Sequence, residues 1–320
     1  MSGQIVKRHL QRCSFGPHTD PLPTDPDWVF DCLRNCPYVF ASNSLLFVPG
    51  SRGDRFQKAA AAGAGVTVID LEDAVPAKNK LAARTAALAH VADRGGSGWA
   101  IRINPVATAA GIADLAALEH VSAPEMPQFL MLPMVDSPRD CAIVAQVLGD
   151  RCPELIPLIE SPCALRRALD IAKSGNVGAV MFGGGDFAAE LGVKLAWTPL
   201  LAARQQLILA CAEATVPAID VPFIHLDDAD ALGRECAASR ALGFRAKAAI
   251  HPRQIAAIEA AFAPGQDEVN EAAEALRAYN DAGGAAIVYK GRMLDAPIVK
   301  QYRAVIERSR TNQTERLTHA

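Results

Sequence analysis

Short apolar runs alternate with longer amphipathic stretches between residue 44 and about residue 250. The runs are rich in Val, Ile, Leu and Phe, which is typical of β-strands. Eight of them are predicted to be strands: Ser44–Val48, Val66–Leu71, Trp99–Ile103, Gln128–Val135, Leu155–Ile159, Ala179–Phe182, Ala218–Phe223 and Arg245–Ile250.

Apolar residues in the intervening stretches recur at three- and four-residue intervals, which predicts helices such as Arg52–Ala62, Ala109–His120, Arg139–Leu148 and Cys163–Ala172. Because the strand runs are continuously apolar, they are typical of parallel strands covered by helices. Their starts lie roughly 20 to 40 residues apart, the size of a βα unit. We therefore predict an α/β fold, a closed (βα)8 TIM barrel. An open doubly wound sheet is the alternative, but no G-x-G-x-x-G follows the first strand.

The chain divides into three predicted parts. Residues 1–43 are polar and punctuated by prolines, which predicts an arm with a short helix around Trp28 to Leu33. Residues 44–262 form the barrel, and residues 263–320 form a C-terminal helical extension. Within the extension we expect helices over Asp267–Ala282 and from Ala296 to about Arg308, with a hairpin at Ile287–Leu294 between them.

Composition excludes several classes of protein. Half of the 320 residues are hydrophobic, and the net charge is −3, with no block of basic residues. This balance argues against nucleic acid or an anionic membrane as a partner. No apolar run reaches the roughly 18 residues needed to span a bilayer. We expect a soluble globular protein.

The cysteines and the first residues say less about function. Eight cysteines are scattered along the chain, which is typical of buried free thiols, and Cys32 and Cys36 form a lone C-x3-C with too few ligands for a structural zinc site. The first 19 residues are basic and faintly similar to a transit peptide, but they are less rich in Arg and Ser. We expect a cytoplasmic protein.

Polar residues follow most of the predicted strands, at the end where a parallel barrel carries its active site. They comprise Asp70-Leu71-Glu72-Asp73, Arg102 and Asn104, Glu160, Gly183-Gly184-Gly185-Asp186, Asp220 and His251. One rim of the barrel therefore collects several carboxylates, an arginine and a histidine.

Glu160 and Asp186 end consecutive predicted strands, so their carboxylates face one cavity and suit a hard cation such as Mg²⁺. The N–H groups of Gly184 and Gly185 are placed to hold an anionic ligand. Arg102 offers a bidentate partner for a substrate carboxylate. Together these groups predict a site for a small oxo- or hydroxy-acid.

Alternative roles remain open for the other rim residues. Asp70 and Asp73 are candidates for orienting metal-bound water. Glu72 is a candidate site residue or a charged cap of the following helix. His251 is a candidate base, or a strand-end histidine that bonds to backbone. No cysteine stands at a predicted strand end, which argues against a catalytic thiol.

The motifs resemble the citrate lyase β-subunit / HpcH–HpaI aldolase superfamily, specifically its acyl-CoA lyase branch. The segments that carry the resemblance run in the family's order from residue 44 to about residue 308: Leu45-Leu46-Phe47-Val48-Pro49-Gly50, Asp70-Leu71-Glu72-Asp73-Ala74-Val75, Arg102-Ile103-Asn104, Pro133-Met134-Val135-Asp136-Ser137, Pro157-Leu158-Ile159-Glu160-Ser161-Pro162, Phe182-Gly183-Gly184-Gly185-Asp186-Phe187, Glu190-Leu191-Gly192, Ala218-Ile219-Asp220, Lys247 through Ile255, and Gly291-Arg292-Met293-Leu294-Asp295-Ala296-Pro297.

The resemblance implies a TIM barrel that assembles into trimers or hexamers and binds Mg²⁺ at Glu160 and Asp186. It implies that Arg102 contacts the substrate's oxygens and that Asp295 enters the active site of a neighbouring subunit. It also implies CoA binding, which we assign to Arg52, Lys58 and His251. Catalysis is assigned to Arg102, Asp295 and Asp70.

Two positions depart from the family's pattern. Asn43-Ser44 replaces the usual Arg-Ser before the first strand, and Ala246 replaces the usual glycine before Lys247. Both are expected near the bound CoA moiety.

We therefore predict a Mg²⁺-dependent C–C lyase that cleaves or forms a short 3-hydroxyacyl-CoA, with acetyl-CoA and an oxo-acid such as glyoxylate, pyruvate or oxaloacetate as products. Alternatives are the citryl-thioester subunit of citrate lyase, a CoA-independent class II oxo-acid aldolase, and a noncatalytic sensor of CoA or oxo-acids.

Overall fold

The computed structural model describes residues 40–318, with side chains as far as Arg310. The greater part of the predicted arm, its helix at Trp28–Leu33 and the Cys32/Cys36 pair lie outside the described residues.

Eight parallel strands close into a barrel, as predicted, because β8 pairs with β1 as well as with β7. The strands are β1 (Ser44–Pro49), β2 (Val66–Asp70), β3 (Trp99–Arg102), β4 (Phe129–Leu132), β5 (Glu154–Ile159), β6 (Val180–Phe182), β7 (Ala218–Asp220) and β8 (Ala246–Ala249).

Helices follow the strands and cover the outside of the barrel. They are α1 (Phe56–Ala60), α2 (Lys80–Arg94), α3 (Ala109–Glu119), α4 (Pro138–Leu148), α5 (Pro162–Arg166), α6 (Ala168–Ala172), α7 (Gly184–Leu191), α8 (Trp197–Ala214), α9 (Ala229–Leu242) and α10 (Ile255–Phe262). Short 3-10 helices occur at Gly53–Arg55, Ala77–Asn79, Ala123–Glu125, Gly149–Arg151 and Pro252–Gln254.

The predicted helix Cys163–Ala172 is two helices, α5 and α6, with a break at Arg167. At the break the Arg167 N–H donates to the carbonyl of Ala164, three residues back, so the ladder tightens for one turn. The Arg167 side chain donates to the carbonyl of Asp136 after β4, at 3.1 Å. This tertiary contact holds Arg167 toward the loop after β4.

Strand β4 is shorter than its apolar run predicts, because Met134 has a positive φ of 51°. Its backbone leaves the strand direction there, and its N–H turns toward the neighbouring loop of β5 instead of a strand partner. Strand β7 likewise ends at Asp220 and not at Phe223.

The main core lies between the strands and the covering helices, where a single cluster of buried apolar side chains runs around the barrel. Phe182, Leu155 and Ile69 are among its fully buried members. Burying each side chain of this size contributes about 1.5–3 kcal/mol. The core therefore fixes the strands on whose ends the polar rim stands.

The C-terminal part consists of helix α11 (Gln266–Asp281), a hairpin of strands β9 (Ile287–Tyr289) and β10 (Arg292–Leu294), and helix α12 (Ala296–Thr318). Lys290 and Gly291 both have positive φ, the geometry of a two-residue type I′ hairpin turn. Ala275, Leu294 and Val299 form a small separate core that joins these elements. No helix in residues 40–318 is long and apolar enough to cross a membrane.

Asn43 and Ala246, the two departures from the family's pattern, lie at the starts of β1 and β8 and not at the rim. The side chains of Asn43 and Ser44 donate to the carboxylate of Glu259 on α10, and Ala246 is completely buried. The expectation that these positions neighbour a bound CoA was wrong, because residues that precede a barrel strand lie at the end opposite to the catalytic mouth.

Candidate active site

The carboxyl ends of β2, β3, β5 and β6 bring together an arginine and a group of acids. Asp70 on β2 is in register with Arg102 on β3. The charge of Asp186 acts on Glu160, and the charge of Glu160 acts in turn on Glu72. These residues therefore lie near one another at the same end of the barrel, as their positions after the strands predict.

Arg102 is held by Asp70 in a two-pronged ion pair. Its Nε donates to Asp70 Oδ1 and its Nη2 donates to Asp70 Oδ2, both at 2.7 Å. The guanidinium also lies 5.2 Å from the ring centre of Phe47. Burial alone would lower the pKa of Arg102, but the hydrogen bonds and charge of Asp70, together with two further acids, raise it. Arg102 is therefore charged and fixed in direction.

Asp70 accepts four hydrogen bonds in all. Besides the two bonds from Arg102, its Oδ1 accepts from the N–H of Glu72 at 2.9 Å and its Oδ2 accepts from the N–H of Ala74 at 3.1 Å. Four donors hold this buried carboxylate in one orientation. Asp70 therefore orients Arg102, and its assignment to catalysis remains a prediction.

Lys80, which was not predicted as a site residue, stabilises the turn that follows Asp70. Its Nζ donates to the carbonyls of Leu71 and Glu72, each at 2.8 Å. Lys80 opens helix α2, where a cation is disfavoured by the helix dipole. A lysine in that unfavourable position is the sequence signal that a local partner exists.

Glu72 faces Arg102 and does not cap the following helix. Its side chain is 12% exposed, and Oε2 lies 2.8 Å from Arg102 Nη1. The contact is within ion-pair distance, but no described residue donates a well-aligned hydrogen bond to that oxygen. Burial raises the pKa of Glu72 to about 8, although the charge of Arg102 opposes the shift.

Glu160 lies in a niche that glycine provides. Its Oε2 accepts from the N–H of Met134 at 2.6 Å. A Cβ atom on Gly183 would collide with Glu160 Cγ and lie 2.6 Å from Oε1, so only glycine leaves room for this side chain. Burial raises the pKa of Glu160 to about 7; the Met134 hydrogen bond opposes the shift and the charge of Asp186 adds to it.

Asp186 stands in the first turn of α7, after Gly184 and Gly185. Its side chain is exposed, and no described residue bonds to its carboxylate. The described residues contain no cluster of three or more His, Cys, Asp or Glu that could hold a metal. Two carboxylates, one buried and one without a partner, nevertheless fit Mg²⁺, which binds few protein oxygens and keeps several waters.

The three residues assigned to CoA binding lie around the neighbouring strands β8 and β1. Arg52, in the loop after β1, pairs with Asp54 at 2.7 Å, and Lys58 on α1 is exposed. His251 follows β8, and its Nδ1 accepts from the N–H of Arg253 at 3.1 Å. This bond gives His251 the backbone-bonded role and occupies one of the two nitrogens that a base would use.

Asp295 stays outside this group within its own chain. Its Oδ1 accepts from the N–H of Ile298 at 3.3 Å at the start of α12. No hydrogen bond or ion pair in the described part of the chain joins it to Arg102, Glu160 or Asp186. Its assignment to a neighbouring subunit's site remains a prediction.

Two of the predicted rim residues, Asn104 and Asp220, make buried polar contacts that stabilise the fold. The amide of Asn104 donates to Asp114 at 2.7 Å, and Arg84 pairs with the same carboxylate at 2.6 Å. Asp220 points away from the barrel axis into a buried network, where it accepts from Lys247 at 2.7 Å and from Arg204 at 2.9 Å. Burial would raise the pKa of Asp220, but these two cations lower it.

Comparison with known proteins places this geometry in a family. The model of the HpcH/HpaI aldolase/citrate lyase family matches residues 43–252. The citramalyl-CoA lyase of Mus musculus, a mitochondrial protein, is 29% identical over 301 residues, which cover 87% of this chain and 88% of that protein. The L-malyl-CoA/β-methylmalyl-CoA lyase of Cereibacter sphaeroides is also 29% identical, over 87% of this chain and 97% of its own.

A solved structure agrees with these relatives. The protein CitE of Mycobacterium tuberculosis, crystallised with magnesium, acetoacetate and coenzyme A, has a TM-score of 0.73 to this chain. It is 29% identical, and the match covers 84% of this chain and 98% of that one.

Proposed function

The chain belongs to the HpcH/HpaI aldolase/citrate lyase family and is a carbon–carbon lyase, and from that premise we propose that it cleaves or forms a short 3-hydroxyacyl-CoA in a Mg²⁺-dependent reaction. The substrate class is that of citramalyl-CoA and malyl-CoA, with acetyl-CoA and pyruvate or glyoxylate as products. The observation that carries the proposal is that Glu160 and Asp186 follow the paired strands β5 and β6 at the same mouth where Asp70 fixes Arg102.

The metal in this proposal is held by Glu160 and Asp186. When bound, Mg²⁺ supplies a Lewis acid and a template for the oxygens of a 2-hydroxy- or 2-oxo-carboxylate. The magnesium and coenzyme A of the solved CitE relative support this choice of metal and of a thioester substrate. The space beside Gly183 and the Met134 N–H hold the Glu160 carboxylate in position without a metal, so the ligand is preorganised.

The remaining residues bind the substrate and move protons. Arg102 orients the oxo-acid oxygens and stabilises the charge that develops on them, since Asp70 holds its guanidinium in one direction. The N–H groups of Gly184 and Gly185 hold the acid's carboxylate. In its ionised form Glu72, whose Oε2 accepts no aligned hydrogen bond from a described residue, takes up the hydroxyl proton as the C–C bond breaks.

The electron pair of the broken bond passes to the α-carbon of the thioester, and Asp295 protonates that carbon. In the condensing direction Asp295 removes the same proton. Because the hydrogen bonds that join Asp295 to other described residues stay within its own helix end, we propose that it serves the mouth of a neighbouring subunit in a homo-oligomer, a trimer or a hexamer. Arg52, Lys58 and His251 lie at the β8–β1 side of the mouth, and we propose that the CoA moiety lies there.

The test is product formation from (S)-citramalyl-CoA and from malyl-CoA, with Mg²⁺ and again with EDTA. We expect release of pyruvate or glyoxylate together with acetyl-CoA only in the presence of Mg²⁺. Release that persists in EDTA contradicts the metal's role. Absence of turnover on both thioesters, combined with cleavage of a free hydroxy-oxo acid, contradicts the CoA-dependent reaction.

A further inference from the structure

A cavity of about 180 Å³ lies beside the candidate active site, and its lining residues Leu195 and Val221 pack against Gly184. It is bounded by the start of α8, by the segment after β7, and by α9. Arg102, Glu160 and Asp186 do not line it. A cavity of roughly 150 Å³ is enough to hold a molecule of benzene, so this volume suits a small organic ligand.

One wall of the cavity carries a buried cation with an unused donor. Arg204 is 1% exposed, and its Nε is bonded to Asp220. Its Nη1 has no hydrogen-bond partner among the described residues. A buried guanidinium nitrogen without an acceptor is unfavourable, so an acceptor oxygen at this place is favoured.

The start of α8 contributes a second preference for an acceptor. Ala196, at the N-cap of this 18-residue helix, has no side chain able to cap the helix, and it lines the cavity together with Trp197. The first N–H groups of a helix lack intrahelical partners and attract negative charge.

The other charges around the cavity are balanced. Glu235 lines the cavity, but it accepts from Lys247 at 2.7 Å. Asp220 is paired with both Lys247 and Arg204. The two negative charges, Glu235 and Asp220, therefore balance the two positive charges, Lys247 and Arg204. His225 adds a polar ring to the lining. The start of α8 and Arg204 Nη1 are the groups that still favour an acceptor oxygen.

The remaining lining is apolar and partly aromatic. Trp197, Val221, Phe223 and Ile224 surround the space, and the Trp197 ring centre lies 4.8 Å from the Arg204 guanidinium carbon. Such walls favour a hydrocarbon tail next to the acceptor group.

We propose that this cavity is a binding site for a short aliphatic carboxylate, whose oxygen accepts from Arg204 Nη1 and whose tail packs against Trp197 and Phe223. Neither Glu160 nor Asp186 lines this cavity, so the ligand binds without metal and without a thioester.

The test uses the full-length protein, labelled with 5-fluorotryptophan and kept in EDTA, with butyrate as the probe. The chain has three tryptophans, and the variant Trp197→Phe assigns the ¹⁹F signal of Trp197. We expect butyrate to shift that signal saturably, with a dissociation constant in the millimolar range or below, while the Trp99 signal stays in place. Butyramide, which has the same shape without the charge, is expected to bind at least tenfold more weakly.

A matched pair of variants locates the ligand without disturbing the buried network. Ala196→Asp supplies an internal carboxylate at the helix start, so it is expected to abolish the butyrate shift. Thr198→Asp adds the same charge at an exposed position that does not line the cavity, and it is expected to leave the shift intact. No shift of Trp197 in the wild type overturns the proposal, as does an equal response of the two variants. Because the assay needs neither Mg²⁺ nor a thioester, its outcome is independent of lyase activity.

Discussion

The carboxylate of Glu160 occupies the space in which Gly183 lacks a side chain: a Cβ atom there would lie 2.6 Å from Glu160 Oε1. The first prediction follows from this relationship. Gly183→Ala must displace Glu160, so we expect Mg²⁺ affinity and kcat/KM to fall about 10- to 100-fold, the range for disturbed support of a metal ligand. Isothermal titration with Mg²⁺ and steady-state kinetics measure the two effects.

Gly185→Ala is the matched control, because a Cβ atom at Gly185 meets nothing within 4 Å. We expect this variant to bind Mg²⁺ like the wild type. If both substitutions weaken Mg²⁺ binding equally, the loss comes from the mobility of the turn and not from the niche.

Asp186 and Asp295 are expected to fail in different ways. Asp186→Asn removes a metal ligand and nearly all activity, whereas Asp295→Asn keeps Mg²⁺ binding and loses turnover. If Asp295 serves a neighbouring subunit, co-expression of the two variants restores sites that contain one intact Asp186 and one intact Asp295. Partial recovery of activity in the purified mixture is the expected result. Full activity of Asp295→Asn alone would contradict its catalytic assignment.

The metal-free protein is expected to lose stability as the pH rises from about 5 to about 8. The pKa values of Glu72 and Glu160 are raised to about 8 and about 7, against an ordinary 4.5. In this window the unfolded chain releases protons that the folded protein retains, so a rising pH favours unfolding. Each carboxyl contributes at most about 1.4 kcal/mol per pH unit. Urea unfolding in EDTA across this range measures the slope.

Glu72→Gln separates the contribution of Glu72 from that of all other titrating groups, such as His90, whose pKa is lowered by burial. We expect a smaller decrease in the free energy of unfolding of this variant between pH 5 and 8. Added Mg²⁺ is expected to flatten the wild-type profile further, because it stabilises the ionised Glu160. An unchanged slope in Glu72→Gln would show that Glu72 ionises normally.

Lys247 on β8 is expected to be essential for stability. It is wholly buried and donates to Asp220, Glu235 and the Val221 carbonyl, each at 2.7 Å. Lys247→Met leaves buried carboxylates without their cation, which costs about 3–5 kcal/mol. Lys300→Met, at an exposed position, is the control and is expected to change the free energy of unfolding by less than about 0.5 kcal/mol.

Lys58 is expected to affect thioester binding alone. It is exposed on α1, at the side of the mouth proposed for CoA. Lys58→Ala is expected to raise the KM for the thioester by about 2- to 5-fold, the range of a solvent-exposed charge pair, with kcat unchanged. The effect should fade at high salt. A change in kcat without a change in KM would place Lys58 elsewhere in the reaction.

The barrel and the residues at its mouth were predictable because both depend on patterns along the chain. Continuous apolar runs mark the strands, and the polar residues after them mark the rim, which is why Arg102, Glu160 and Asp186 could be identified as rim residues. The same reasoning, applied to strand starts, would have placed Asn43 and Ala246 at the opposite end of the barrel.

The supporting contacts were not predictable, since each joins residues that are distant in sequence or depends on backbone geometry. The positive φ of Met134 aims its N–H at Glu160, 26 residues away. The need for glycine at position 183 arises only once the Glu160 side chain lies against it. Asp220 follows the rim pattern, yet its side chain bonds to Lys247 and Arg204 in a buried network, which the apolar run around it does not reveal.

The direction of Arg102 is set by one short segment, residues 70–80. Asp70 accepts from the guanidinium, and the N–H groups of Glu72 and Ala74 donate to Asp70 in turn. Lys80 joins this turn to helix α2 by donating to the carbonyls of Leu71 and Glu72. This arrangement has a consequence for protein engineering. To place the same arginine in an unrelated eight-stranded barrel, a designer would have to transfer residues 70–80 together with it. Arg102 and Asp70 alone would lack the hydrogen bonds that orient them.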